Sequence, residues 1–446
     1  MQIIDIVAVA KQVVQKYPLC NSCLGRLFGM MGYGLTNAER GHALKTILLM
    51  EAYDTTVNEW NEKLLKSLAL SGFNAAHLVL AKIKAEPIKE VECYICKNLM
   101  DKVNELAVMC VETGKEYEYK TFQVGCSIPH EIIEREESLW LNLGLERSES
   151  IKSELTREIG KQIQSLTGKS YSLDKPDLTF IVDAKKWKVI VQPRPLFIYG
   201  RYKKKVRGLP QSPWLHQPDS RISYDTSIEE LITTPLIKLF ESTSAKLHAA
   251  GREDIDVRTL GSGRPFVVEI ISPKVRTVDL RMAEHLINNL SKGLIEVEKL
   301  IYVDGKLVPK LKAFSEIARK KYTARVKLDQ PISDQALKEL EAKFKNLLIN
   351  QRTPLRILGR KNDKVRKKMV YELKAMALGE QEILLEITCQ GGLYVKELIH
   401  GDQGRTRPSV AEALGVDVTV EELDILWIEE PEILSNFMLE PKLPVA

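Results

Sequence analysis

The chain has 446 residues, 44% hydrophobic and 28% charged, with a formal net charge of +5. That length holds two to four domains, and that composition excludes collagen, coiled coil and a mostly disordered chain. The longest uncharged stretch, Ser67–Ala81, is too short and too polar to span a bilayer. An acidic residue, Asp5, stands where a signal peptide needs positive charge. A soluble, cytoplasmic protein with no membrane partner is therefore expected. The charge is lopsided: residues 408–446 carry nine acids and one base, a net of −8 that leaves +13 on residues 1–407. An excess of that size suits a polyanionic partner such as a nucleic acid.

In chain order, residues 1–195 read as one domain of mixed helix and strand. Four of the seven cysteines form two C-x-x-C pairs, Cys20 with Cys23 and Cys93 with Cys96. A two-residue gap turns both thiolates toward one tetrahedral ion, and two such pairs complete a structural zinc site with no open position. Disulfides fit a cytoplasmic chain poorly. Cys110, Cys126 and Cys389 have no spacing partner and read as core residues. Ala38–Met50, Glu59–Leu70 and Ser148–Ser165 carry helical periodicity, Lys120–Ser127 reads as a strand, and Leu178–Val182 with Trp187–Val191 as a hairpin.

Gln192–Trp214 then holds four prolines and six Lys/Arg without a hydrophobic period. Residues 196–220 are expected to be a basic linker, with the run Arg201–Arg207 contacting phosphates. Residues 221–446 form the second domain. Ser227 and Glu230 make a capping box for a helix expected to reach Gly251. Pro265–Ile271, Leu294–Tyr302 and Tyr322–Leu328 read as strands and Ala283–Leu290 as a helix. Ser333 caps a helix expected to end near Leu348, Met369–Leu378 pairs with Glu382–Gln390 as a hairpin, and Ser409 with Glu412 opens a short helix. The irregular alternation favours an α+β fold on a mixed or antiparallel sheet over a doubly wound one.

The densest polar cluster is Gly251-Arg252-Glu253-Asp254-Ile255-Asp256-Val257-Arg258, followed by Leu260-Gly261-Ser262-Gly263-Arg264-Pro265-Phe266. A dinucleotide loop fails here, because Arg264-Pro265 rather than a helix N-terminus follows the glycines. Gly251-Arg252-Glu253-Asp254 resembles the G-R-x-D loop of pseudouridine synthases, and the whole run Gly251–Phe266 is similar to the motif of the archaeal and eukaryotic enzymes acting on tRNA uridines 54 and 55. Lys320-Lys321-Tyr322-Thr323-Ala324 resembles the superfamily's K-x-Y-x-A strand. Cys389–Leu398 resembles its G-T-Y-I-R-x-L motif, with Leu393 for Thr and Lys396 for Arg. Gln351–Arg356 and His400–Pro408 also resemble segments of this family.

The resemblance implies a pseudouridine synthase catalytic domain at 221–446 and a zinc-containing, THUMP-type RNA-binding accessory domain at 1–195. It implies an isomerase that binds the T-arm of tRNA and modifies uridine 55 and uridine 54, with no organic cofactor and no obligate protein partner. Asp254 falls on the family's nucleophile, and Asp256, two residues on, is its rival. The reaction breaks the C1′–N1 bond, turns the uracil and rejoins it through C5, so it needs a carboxylate as nucleophile or base and an aromatic platform for the flipped base. Tyr322 and Tyr394 supply the platform, and Lys396 or Arg252 the cation beside Asp254. Arg356, Arg360 and Arg405 are the expected substrate contacts. The rival readings are a non-catalytic zinc-containing tRNA-binding protein and another THUMP-type tRNA-modifying enzyme. The latter needs a nucleotide-binding glycine loop that the sequence lacks.

Overall fold

The computed structural model describes residues 5–31, 33–54, 58–145, 148–213, 224–359 and 362–439. The chain divides into two compact units, Met1–Arg194 and Pro195–Ala446.

In the first unit, α1 (Ile6–Lys16) starts where the Asp5 carboxylate accepts from the N–H groups of Val7 and Ala8. The helix α2 (Asn21–Arg26) carries the first cysteine pair, and α3 (Asn37–Glu51) opens with a capping box of Thr36 and Glu39. These two helices meet backbone to backbone. A β-carbon on Gly41 would stand 1.9 Å from Asn21 O, and one on Gly25 would stand 1.8 Å from Asn37 O, so only glycine permits the contact. A ribbon of β1 (Tyr53–Asp54) and β2 (Glu59–Trp60), then α4 (Glu62–Leu70), α5 (Asn74–Lys82) and α6 (Val103–Gly114), complete the first half. A sheet follows from β3 (Thr121–Ser127), α7 (His130–Leu143), α8 (Ile151–Thr167), β4 (Ser170–Tyr171), β5 (Leu178–Asp183) and β6 (Lys188–Pro193), in the order β4-β3-β5-β6. Along β3 the inward residues are Phe122, Val124 and Cys126, the period-2 pattern of a half-buried strand. Helix α8 packs on that strand and α6 on β6.

The second unit begins with β7 (Leu196–Lys204), which replaces the first part of the linker expected at 196–220; residues 214–220 of that linker lie outside the described residues. The strand lies inside a sheet, paired with β9 (Arg258–Ile271) and β10 (Ile295–Val303). Leu196-Phe-Ile-Tyr-Gly-Arg-Tyr is a run of strand formers, and sheet pairing outweighs the nearby prolines and charges. The helix opened by Ser227, α9 (Ile228–Leu239), stops well short of Gly251; β8 (Ser244–Ala249) intervenes and pairs with β9. After α10 (Leu280–Leu290) and β10 come α11 (Leu307–Phe314), β11 (Arg319–Leu328) and α12 (Asp334–Lys343). That last helix ends before Leu348, because β12 (Leu347–Arg352) joins the sheet edge beside β13 (Val365–Gly379). The chain closes with β14 (Glu382–Gln390), α13 (Val395–His400), β15 (Thr406–Arg407), α14 (Val410–Leu414) and β16 (Val418–Ile428). The sheet order is β10-β7-β9-β16-β11-β14-β13-β12-β15, with β8 on β9. Only β16 and β9 pair in parallel, so the sheet is mixed and nearly all antiparallel, as an α+β fold requires.

Among the described residues three buried clusters fill this unit, the smallest around Tyr199, Val267 and Leu311. Another holds Ile232, Phe240, Phe266 and Ile287, and the third Val326, Phe344, Leu385 and Leu398. Among the described residues no helix is long and apolar enough to cross a membrane.

Candidate active site

The loop Gly251–Val257 joins β8 to β9 and carries Asp254. Gly251 has φ +89°, a left-handed backbone that favours glycine. Beneath the loop, the buried Glu253 accepts from Arg264 Nε at 2.7 Å and from the Tyr202 hydroxyl at 3.0 Å. Gln211 donates to the Tyr202 hydroxyl and to Gly251 O. Burial, then the Glu253 charge, push the Tyr202 phenol well above its ordinary value. A buried carboxylate so fully bonded fixes the backbone around it.

The basic run Arg201–Arg207 lies behind the same loop. Lys204 is 1% exposed, and its Nζ donates to Asp254 O at 3.2 Å and Ile255 O at 2.6 Å. Burial pulls its ammonium down to about 8. Arg207 donates to Asp256 O and Leu423 O, and Arg201 to Ser262 O, Gly263 O and Ile428 O. Lys203 pairs with Glu296 and Glu298, and Lys205 with Glu296. Of the run expected to grip phosphate, Arg201 and Lys204 are thus turned inward, and Lys204 with Arg207 clamps the Asp254 loop.

Asp254 faces outward with 36% of its side chain exposed. Arg356, from the loop after β12, meets both of its oxygens, Nη1 to Oδ1 and Nη2 to Oδ2, each at 3.0 Å. The Arg356 Nε also donates to the buried Glu397 at 2.7 Å. Burial opposes its charge, yet Glu397 and Asp254 hold the guanidinium above its ordinary value. Lys396, expected as the partner of Asp254, lies 3.8 Å from it and instead bonds both oxygens of Asp256, at 2.6 and 2.8 Å. Against the cost of partial burial, Lys396 holds the Asp256 carboxyl below its usual value. The bidentate fork that an ammonium cannot form comes from Arg356, a residue expected among the substrate contacts. Arg252 is exposed and pairs with no acid among the described residues.

Tyr322 projects from β11. Burial, then Cys389, push its phenol upward, and the Asp254 charge reaches it as well. Tyr394 precedes α13, with Arg356 Cζ 5.9 Å from its ring centroid. Gln351 fixes its backbone on both sides, accepting from Tyr394 N–H at 2.8 Å and donating to Tyr394 O at 3.0 Å. Arg405 is turned inward, donating to Thr353 O and to Asp363, so it anchors the base of the Arg356 loop. Arg360 lies outside the described residues. Sequence reasoning missed Lys204, Arg264 and Glu397 as parts of the site. Arg264 and Glu397 lie within the matched runs Gly251–Phe266 and Cys389–Leu398, and that membership was their only signal.

The four paired cysteines come together in the first unit, with their sulfurs all within 4.8 Å of one another. Cys20 Sγ and Cys96 Sγ are 3.7 Å apart, close to the edge of a tetrahedron with metal–sulfur bonds of about 2.3 Å. Cys20 N–H donates to Cys93 Sγ, Cys23 N–H to Cys20 Sγ, and Arg26 Nη2 to Cys23 Sγ. Donors aimed at sulfur suit thiolate ligands, so this set fits a metal ion held in a closed, four-sulfur site.

On this mixed sheet a carboxylate is thus held by an arginine fork. Residues 197–429 match the family model described as Pus10, C-terminal, and residues 106–183 match the one described as Pus10 THUMP domain, archaeal. A tRNA pseudouridine synthase Pus10 of Thermofilum pendens is 50% identical over 95% of this chain and 95% of its own length. The protein of that name from Methanopyrus kandleri is 40% identical over 93% of this chain and 97% of its own. The crystal structure of a pseudouridylate synthase is matched at a TM-score of 0.20 and 15% identity, over 66% of this chain and 88% of that one. The chain belongs to the Pus10 family of pseudouridine synthases, which are isomerases.

Proposed function

We propose that this enzyme acts on tRNA in the cytoplasm, binding the T-arm and isomerising uridine 55 and uridine 54, with Asp254 as its nucleophile. The observation that carries the reading is the Asp254 carboxylate, both oxygens held by Arg356 while a third of the side chain stays open to a substrate. The fork fixes the carboxylate before substrate arrives, which is the positional part of catalysis. Tyr322 and Tyr394 flank the place where an extruded uracil would stack. The clamp of Lys204 and Arg207 keeps the loop from yielding as the carboxylate engages C1′. Asp256 is held by Lys396 and serves to orient it. Arg405 acts through the Arg356 loop.

Cys20, Cys23, Cys93 and Cys96 would hold a structural zinc ion, with all four coordination positions filled by sulfur. The first unit would grip a remote part of the tRNA, and no obligate protein partner is invoked. Asp254→Asn tests the reading. Turnover, read as pseudouridine by chemical tagging and mass mapping of the tRNA, should be abolished while tRNA binding persists. Appreciable turnover in Asp254→Asn together with loss in Asp256→Asn would move the nucleophile to Asp256.

A further inference from the structure

Lys320 opens the Lys320-Lys321-Tyr322 motif, and no step above uses it. It is 5% exposed and shares one face of β11 with Tyr322, two residues on. Its Nζ comes within 3.3 Å of the point where a β-carbon on Gly251 would stand, and Arg264 Nη1 within 3.1 Å of that point. The bare α-carbon of Gly251 therefore lets two buried cations press against the loop that carries Asp254. They differ in one respect. Arg264 is matched by Glu253 at 2.7 Å, whereas no carboxylate among the described residues is within ion-pair distance of Lys320 Nζ. The groups acting on it are Arg264 of β9 and Lys368 of β13, which repel it, and Cys389 of β14 and Glu253 of the loop, which attract it. Its neighbour across β16 is the apolar Ile428. Burial, then Arg264, pull its ammonium down to about 7.

A buried cation without a counter-ion is costly in a resting protein and is the kind of group that collects at functional sites. The reaction proposed above makes an anion beside the Asp254 loop that Lys320 underlies. When C1′–N1 breaks, the bonding pair stays on N1, and the uracil leaves as an anion with its charge shared by N1, O2 and O4. This holds whether Asp254 bonds to C1′ or takes the C2′ proton. The charge disappears when C5 bonds to C1′, as the Asp254–C1′ bond breaks or Asp254 returns the C2′ proton; C5 then loses its proton and N1 gains one.

We infer that Lys320 is a catalytic residue whose ammonium is the counter-charge for the uracil anion while the detached base turns. No proton need cross between them. A counter-charge that meets its partner only after cleavage favours the transition state over the bound substrate. The inference rests on the pseudouridine reading and extends it to the leaving group.

The charged form is the active one, so kcat/KM should fall about tenfold per unit as pH rises through about 7 in the free enzyme. Lys320→Met should lower kcat/KM about 10²- to 10³-fold and remove that limb, with tRNA binding and Tm near wild type. With 5-fluorouridine at the target, whose base leaves as a more stable anion, the loss should shrink at least tenfold, read as consumption of the target nucleotide. Lys320→Arg should keep activity and push the limb to higher pH. Wild-type kcat/KM that is flat or rising from pH 6.5 to 8.5 would overturn the inference, even if both variants failed to fold. An equal loss on uridine and 5-fluorouridine with an unchanged limb would reduce Lys320 to a structural residue. A wild type that makes no pseudouridine would instead sink the reaction itself.

Discussion

Arg201–Arg207 carries five cations in seven residues, and Arg356–Lys368 carries seven against one acid. Both look like phosphate contacts in the sequence, and the fold sends them to different places. The first run enters the sheet. Arg201 and Lys204 are 2% and 1% exposed; Arg201 bonds carbonyl oxygens of β9 and β16 and Lys204 those of the Asp254 loop, while Lys203 and Lys205 pair with Glu296. Among the described residues of the second run only Arg356 reaches the carboxylate of Asp254; Lys364 and Lys367 stand exposed. Charge density therefore does not distinguish a clamp from a grip. The distinguishing feature is the company of the charges: Leu196-Phe-Ile-Tyr carries the first run directly into β7, whereas Leu358-Gly359 follows Arg356 and only the last part of the second run, Val365–Lys368, joins a strand.

The sharpest break in that comparison is Arg356→Ala. Freeing both oxygens of Asp254 should lower turnover about 10³-fold, and Arg356→Lys should restore little of it, since an ammonium makes no fork. Pseudouridine formed at saturating tRNA measures both. Next, Lys204→Met should lower turnover about 10²-fold and also stability, because two loop carbonyls lose their donor. Its tRNA affinity and salt dependence should stay as they were, and a flattened salt slope would return the run to the RNA surface.

The converse holds for the outward charges. Neutralising Lys364 and Lys367 together should flatten the slope of log K against log salt by roughly 1.5 units if each meets one phosphate. Turnover at saturating tRNA should change little, because such contacts bind substrate and transition state alike. A smaller effect is expected from Lys203→Met with Lys205→Met: stability within about 1 kcal/mol of wild type, as for surface pairs, and an unchanged salt slope. The first unit supplies a control. Replacing Cys93 and Cys96 by Ser should release one zinc per chain, seen by metal analysis, and loosen that unit while the Asp254 pocket keeps its geometry.

Much of this was legible from local pattern. The hairpin expected at 369–390, the strand expected at 322–328 and the caps at Ser227, Ser333 and Ser409 follow from alternation and turn chemistry, the strands running on to 365 and 319 in the structure. The four cysteines were legible because knuckle spacing is itself local geometry, and the catalytic loop because its motif is contiguous. The two helices drawn too long, to Gly251 and Leu348, failed where short strands take their stability from partners far along the chain: β8 from β9 and β12 from β13.

The sequence by itself determined many of the elements, the cysteine set and the motifs that carry the family resemblance, because each is written in residues a few positions apart. Only the tertiary structure decided which cation holds which carboxylate. Lys396 was the expected partner of Asp254, and it took Asp256, while Arg356, 102 residues from Asp254, took both oxygens of Asp254. Lys204 became a clamp for the same reason. An ion pair is settled by distances of a few ångströms between side chains on different strands and loops, and those distances exist only once the sheet has brought the strands together.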